Sequence, residues 1–505
     1  MRKRFVFILA AFCTGWFCIS AFGAEHPNII FILADDIGYG DLSSYGAKHV
    51  KTPNLDRLAA QGCRFTDAHS PASTCTPTRR ALLTGAYSWR QSAGSGILPG
   101  DAPLSIPAGS PTVASMLQNA GYRTGVVGKW HLGLGGKEGP DWNGDLKPGP
   151  RELGFDYSFL MPATGDRVPC VYVENQRVVG LDPADPIRVS YKNKIGDEPT
   201  GRENPDRLTL KHTHGHDATI INGIGRIGWM TGGKSARWVD EDKADLFAQK
   251  AIAFIEQNKS QRFFLYFAAH DIHVPRVPHP RFRGTSSVGI RGDVIHQLDD
   301  TVGQLLAALD RLQLSDRTLV IFTSDNGGVM DDGYEDVGKT DYSPNAPLRG
   351  GKGTLFEGGH RVPFLARWPR KIQAGTTNDA LITHLDLFAT FGAVAGAKLP
   401  ADAAPDSFDL LPALLGQSKQ GREHFVAHTG GTQGPLTLRV GSWKYIEPGR
   451  GGPAKTAPNK PPVTQLYNLA DDLGETKNLA EQLPDKVAEM KTILQRLRDE
   501  GRSRK

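Results

Sequence analysis

Cysteine is scarce in this sequence. Of 505 residues five are cysteine, and Cys13 and Cys18 lie in an N-terminal apolar run, which leaves Cys63, Cys75 and Cys170. Three is odd and too few for a disulfide scaffold. A Cys63–Cys170 bridge and a pair of buried free thiols both stay open. A charge excess of one sign is missing as well, since 59 Lys and Arg face 54 Asp and Glu. The net +5 includes Arg2, Lys3 and Arg4, so the chain beyond them carries +2. That near-neutral balance gives no footprint for nucleic acid as a partner. Past the N-terminus no run of about 20 apolar residues is available to cross a membrane.

The N-terminus has a basic start (Arg2, Lys3, Arg4), an apolar stretch from Phe5 to Phe22, and small residues at Ala21, Gly23 and Ala24. This is the pattern of a secretory signal peptide over residues 1–24. Thr14, Gly15 and Ser20 dilute a run already near the minimum for spanning, which argues against a permanent anchor. The expectation is an exported protein, periplasmic or secreted, with no stable membrane anchor after cleavage.

Several short apolar runs end in chemically capable residues. Asn28–Leu33 leads into Asp35 and Asp36, and Gly125–Gly128 into Lys129 and His131. Phe263–Ala269 leads into His270, Asp271 and His273, and Leu319–Thr323 into Asp325 and Asn326. Fully apolar runs of this length suit parallel strands covered on both faces. Ligand sites in open α/β sheets gather beyond the carboxyl ends of such strands, so the four runs are expected to converge on one site. Helical segments alternate with them. Asn54 is placed to cap Leu55–Gln61, Ser110 and Pro111 to open a helix ending at Gly121, and Asp293–Leu312 carries a helical apolar stripe. The fold expected is α/β, a large mixed and mostly parallel sheet sandwiched by helices, over residues 25–390. Residues 166–240 lack periodicity, and an irregular segment of that length is usually functional. In residues 391–505, strand-like pieces (Leu436–Val440, Trp443–Ile446, Gln465–Leu469) flank a Gly/Pro/Lys loop, Gly449–Pro462, before a last helix, Lys486–Asp499. That reads as a small antiparallel C-terminal subdomain.

The most informative segment runs from Cys75 through Thr76, Pro77, Thr78 and Arg79 to Ala81, Leu82, Leu83, Thr84 and Gly85. Thr76 resembles an N-cap, Pro77 a first helical residue and Gly85 a stop, so Cys75 is expected just before a helix N-terminus that favours an anion. Arg79, one turn on, adds a planar, permanently charged donor. On local evidence alone, a low-pKa thiolate nucleophile stays open.

This Cys-x-Pro-x-Arg segment with Ala-Leu-Leu-Thr-Gly resembles the signature of the formylglycine-dependent sulfatases of the alkaline phosphatase superfamily, with Thr78 where Ser or Ala is usual. The resemblance extends in order along the chain. Asp35 and Asp36 look like the first pair of metal ligands, and Asp325 and Asn326 like the second. Gly128 to Gly133 matches the Lys/His motif, His273-Val274-Pro275 the His-x-Pro, and Arg349 to Thr354 with Glu357, Gly358 and Gly359 the second lysine motif. Leu466 to Leu469 through Asn478, Leu479 and Ala480 resembles the C-terminal signature.

The resemblance implies that Cys75 is oxidised during export, by a formylglycine-generating maturation enzyme, to an aldehyde that hydrates to a diol. It implies one Ca²⁺ held by Asp35, Asp36, Asp325, Asn326 and the Cys75-derived oxygen, and catalytic roles for Arg79, Lys129, His131, His273 and Lys352. The donor set agrees, because four oxygen-bearing side chains suit Ca²⁺ or Mg²⁺ rather than zinc. Gly165 to Pro169 resembles bacterial sulfatases acting on sulfated polysaccharides, which points to galactose or N-acetylgalactosamine sulfate, at the 6-position first. Asp166, Arg167, His216 and Asp217 are the candidate substrate contacts. His212, His214 and His216 have zinc-like spacing, but no cysteine pattern accompanies them. The lysine motif is no P-loop, since Gly353 follows Lys352 and Ala346 stands where the first Gly belongs. The competing functions are a phosphonate monoester or phosphodiester hydrolase of the same superfamily, and an inactive carbohydrate-binding relative. The latter should lack a core residue, and none is missing.

Overall fold

The computed structural model describes residues 26–336, 341–449 and 463–504. The signal segment 1–24 and most of the loop Gly449–Pro462 lie outside the described residues. The apolar runs are neighbours in one ten-stranded sheet. Its strands are β1 (Asn28–Ala34), β2 (Cys63–Phe65), β3 (Arg123–Lys129), β4 (Tyr157–Met161), β5 (Val173–Glu174), β6 (Arg177–Val178), β7 (Phe263–Ala268), β8 (Thr318–Ser324), β9 (Phe364–Arg367) and β10 (Thr376–Asn378). They lie side by side as β10-β2-β9-β8-β1-β7-β3-β4-β5-β6. The central five, β8-β1-β7-β3-β4, are parallel, and antiparallel strands are added towards both edges.

Helices cover both faces, as buried parallel strands require. Phe264 of β7 meets Phe391 of α7 (Leu387–Ala395), together with Phe31 of β1. Phe263, one residue earlier and therefore on the opposite face, meets Phe254 of α4 (Lys243–Gln257). Phe254 also fills the space over Gly125, where a Cβ would stand 2.7 Å from its ring. On α4 packs α5 (Ile290–Arg311), which carries α1 (Pro53–Ala60), and with α7 pack α2 (Cys75–Thr84) and α3 (Val113–Asn119); the single turn α6 is Glu357–His360. Each buried Phe of this kind contributes about 1.5–3 kcal/mol.

Three helix starts differ from the sequence expectation. α1 follows Thr52 rather than Asn54, whose amides are taken by Asp299. α3 starts at Val113, because Thr112 Oγ1 accepts from Ser115 N at 3.0 Å and so caps the helix. α2 starts at Cys75 itself, since Thr74 is the extended residue before it. Cys75 is thus inside the first turn, not ahead of it.

Besides β5 and β6, residues 166–240 contain two short ladders, 188–190 with 229–231 and 220–221 with 224–225. Cys63 and Cys170 are buried free thiols. The second sheet is antiparallel, β11 (His424–His428), β12 (Leu436–Val440), β13 (Trp443–Ile446) and β14 (Gln465–Asn468), covered by α8 (Pro484–Asp499). Residue 390 falls inside α7, and Phe388, Ala413 and Leu414 still belong to the main core. We propose on this ground that the C-terminal part begins just before His424.

Candidate active site

The carboxyl ends of β1, β3, β7 and β8 deliver Asp35 and Asp36, Lys129 and His131, His273, and Asp325 and Asn326 to one buried place. Asp36 (φ 64°) and His131 (φ 55°) both occupy left-handed backbone, a strain characteristic of functional positions. Helix α2 enters from the side, with Cys75 in its first turn and only 1 % exposed. The Cys75 Sγ lies 3.3 Å from His131 Nδ1. His131 Nε2 is 3.0 Å from the Leu98 carbonyl, which can only accept, so the ring proton sits on Nε2 and Nδ1 is the acceptor. Burial and the Lys129 charge hold His131 well below the usual histidine range, hence neutral. Burial also pushes the Cys75 thiol up, opposite to what a thiolate nucleophile needs.

Charge is paired throughout. Arg79 Nε and Nη2 donate to Asp325 Oδ2 at 3.0 and 2.8 Å, and its Nη1 to the Lys129 carbonyl. Lys129 Nζ lies 2.5 Å from Asp35 Oδ2, and Lys352 Nζ 2.9 Å from Asp36 Oδ2. Asn326 Nδ2 donates to Asp36 Oδ1 at 2.7 Å. Burial and then Lys352 pull His273 down to about 4. Two oxygens in this group, Asp35 Oδ1 and Asn326 Oδ1, are buried without any hydrogen-bond partner. Burial and the neighbouring Asp325 push the Asp35 carboxyl up, so three carboxylates crowd a water-poor space. Orphaned hard oxygens beside crowded carboxylates are what a hard divalent cation satisfies, and the residues fit calcium.

Of the candidate substrate contacts, three lie together, close enough for the Arg167 charge to act on His131 and Cys75. Asp166 Oδ2 is 2.9 Å from His216 Nε2, and Arg167 Nη1 is 3.0 Å from Asp166 Oδ1. Asp217 is not with them, for its carboxylate takes the exposed Arg202 at 2.8 Å. His212 and His214 form no metal-binding group with His216 among the described residues. Sequence reasoning missed Asp332, whose Oδ2 lies 2.5 Å from Lys352 Nζ and 3.9 Å from His273 Nε2. Its only signal is the pair Asp331 and Asp332, six and seven residues after Asp325.

Comparison with known proteins agrees with this geometry. The sulfatase family model matches residues 27–397. An N-acetylgalactosamine-6-O-sulfatase of Bacteroides thetaiotaomicron is 52% identical over 480 residues, covering 94% of this chain and 93% of the relative. Human arylsulfatase A is 35% identical over 472 residues, covering 90% and 84%. A solved structure from the metabolism of multiple glycosaminoglycans by Bacteroides thetaiotaomicron superposes with a TM-score of 0.90 at 51% identity, covering 94% of this chain and all of the other. Fold, site and relatives lead to one conclusion: the chain belongs to the sulfatase family.

Proposed function

We propose that this sulfuric ester hydrolase releases sulfate from a sulfated carbohydrate, with 6-sulfated galactose or N-acetylgalactosamine in a polysaccharide or glycosaminoglycan as its substrate. The observation that carries the chemistry is Cys75 in the first turn of α2, against neutral His131 and opposite four oxygen-donor residues. The substrate rests on the relative that is 52% identical over nearly the whole chain.

We further propose that Cys75 is converted to formylglycine by a maturation enzyme and that the chain is exported. The hydrated aldehyde would supply one hydroxyl to attack sulfur and a second whose deprotonation releases sulfate. Asp35, Asp36, Asp325 and Asn326 would hold Ca²⁺, which draws charge from the sulfate oxygens. Arg79, Lys129 and Lys352 supply fixed positive charge in a dry site, where it is worth far more than in water. His131 Nδ1, neutral and beside residue 75, accepts the proton of the second step. His273 is neutral on its own; a sulfate anion beside it favours its charged form, and with Lys352 it then protonates the bridging oxygen as the S–O bond breaks. Asp166, Arg167 and His216 hold the sugar.

Two measurements test this. Mass spectrometry of the peptide spanning Thr74–Arg79 in active protein should show the aldehyde or its hydrate, and active protein with an unmodified thiol overturns the nucleophile. Sulfate release from defined sulfated mono- and disaccharides should be fastest with 6-sulfated galactose-type sugars. A preference for another position or sugar overturns the substrate.

A further inference from the structure

The C-terminal signature, Leu466 to Ala480, takes no part in the chemistry above, yet one of its residues reaches the lysine motif. Glu475, fully buried, touches both ends of the segment that carries Lys352. Its backbone carbonyl accepts from Arg349 Nη1 at the start, and its Oε2 accepts from the Glu357 N–H at the end, at 2.6 Å. Its Oε1 lies 2.8 Å from Lys444 Nζ, and Lys444 Nζ lies 2.9 Å from Glu357 Oε1. Three buried ionisable groups from β13, the turn after β14 and the lysine segment thus form a closed triangle.

We propose that Glu475 and Lys444 are positioning residues for Lys352, so that the C-terminal sheet sets the geometry of the leaving-group side of the site. The rest of the segment's contacts favour this. Its inner side is strapped to the site, Gly353 N donating to the Ser73 carbonyl at 2.8 Å and Lys352 N to the Gly328 carbonyl at 3.3 Å. Its outer side is strapped to the C-terminal sheet, where Leu355 and Phe356 pack on Ile446, Tyr467 and Leu469. The Arg349 guanidinium lies 3.9 Å from the Phe356 ring centroid. Lys352 sits mid-segment with two acidic partners, Asp36 and Asp332, so a small shift of the segment changes which it meets.

A metal is the competing explanation, because donor atoms of His69, Glu357 and His360 lie within 4.8 Å of one another. Lys444 Nζ, 2.9 Å from Glu357 and 3.2 Å from His360 Nε2, already provides the cation there. Adhesion alone does not need charge, since the apolar contacts supply it. Buried charges instead penalise every arrangement but one, because a displaced partner leaves the others uncompensated.

The proposal rests on the leaving-group role given to Lys352 above, and a double-mutant cycle separates the two. With a sugar sulfate, Glu475→Gln should lower kcat about 10–100-fold, the cost of a small misplacement, with KM little changed. The loss should shrink with an activated aryl sulfate, as it should for Lys352→Ala. In the Lys352→Ala background Glu475→Gln should cost nothing further. Independent, multiplicative losses overturn the proposal, as do equal losses with both substrates where Lys352→Ala discriminates between them. If Lys352→Ala itself does not discriminate, the role of Lys352 is wrong, while the cycle still decides whether the residues act as one. Lys444→Met and Arg349→Lys take the place of Glu475→Gln if that variant fails to fold.

Discussion

Asp325 serves two masters, since it is both a proposed calcium ligand and the partner of buried Arg79. Removing it strands a buried guanidinium, which costs about 3–5 kcal/mol, so Asp325→Ala confuses folding with metal loss. Asn326→Ala is the cleaner test. It should weaken calcium binding in titration, and excess Ca²⁺ should restore most of the lost turnover. A chelator that leaves wild-type turnover untouched after long dialysis removes the metal assignment. His273→Ala should lose about 10²–10⁴-fold on a sugar sulfate, the usual worth of a positioned acid, and much less on an activated aryl sulfate. Equal losses on both would reduce His273 to a binding residue. Asp35, Asp36, Asp325 and Asn326 were legible because each pair directly follows an apolar strand. Asp332 was not, because its approach to Lys352 is set by the path of a loop, and a loop leaves no periodic trace in sequence.

The elements show the same division. β1, β3, β7 and β8 each stand out by an apolar run, only Gly125–Gly128 in β3, since both their faces are covered. β2, β9 and β10, three or four residues each, are too short to carry a pattern. β11 is hidden by a histidine at each end, the second of them buried. The lysine segment is exacting for a different reason, as a Cβ on Gly359 would stand 2.1 Å from the Thr354 carbonyl. At Gly125 the obstacle is a side chain, so there relief is available. Gly125→Ala should destabilise the protein by about 1–3 kcal/mol in denaturant unfolding, the usual cost of overpacking. The penalty should fall in a Phe254→Leu background. An unchanged penalty would show that the backbone, not Phe254, opposes the methyl.

For the whole molecule, several histidines are buried or half-buried and neutral outside the catalytic cluster. Burial pulls His428 to about 4 and His384 to about 3, and burial with Arg422 pulls His424 to about 4. Unfolding lets each take a proton near its ordinary value of about 6.5. The unfolded chain therefore binds more protons between about pH 6.5 and 4, so stability is intact above that window and falls as pH drops through it. Asp271, raised by burial to about 6, works the other way, as do the buried carboxyls of Asp299, Asp336 and Asp386, so the share of any one histidine is read from its own substitution. A residue such as His428 should cost about 1.4 kcal/mol per pH unit in that range. His428→Gln should flatten the fall of melting temperature there, and an unchanged slope would discount it. The same strand has a consequence in time. Ser73 N donates to the His428 carbonyl, and Thr74 Oγ1 to the Thr429 carbonyl, a partner 355 residues later in the chain. At about 5–20 residues per second a ribosome needs about 20–70 s to make that stretch. For that interval the segment that holds Ser73 and Thr74 does not yet exist, and on the maturation proposed above residue 75 would be modified then. On the same proposal, a chain that seats β11 while residue 75 is still a thiol would keep it.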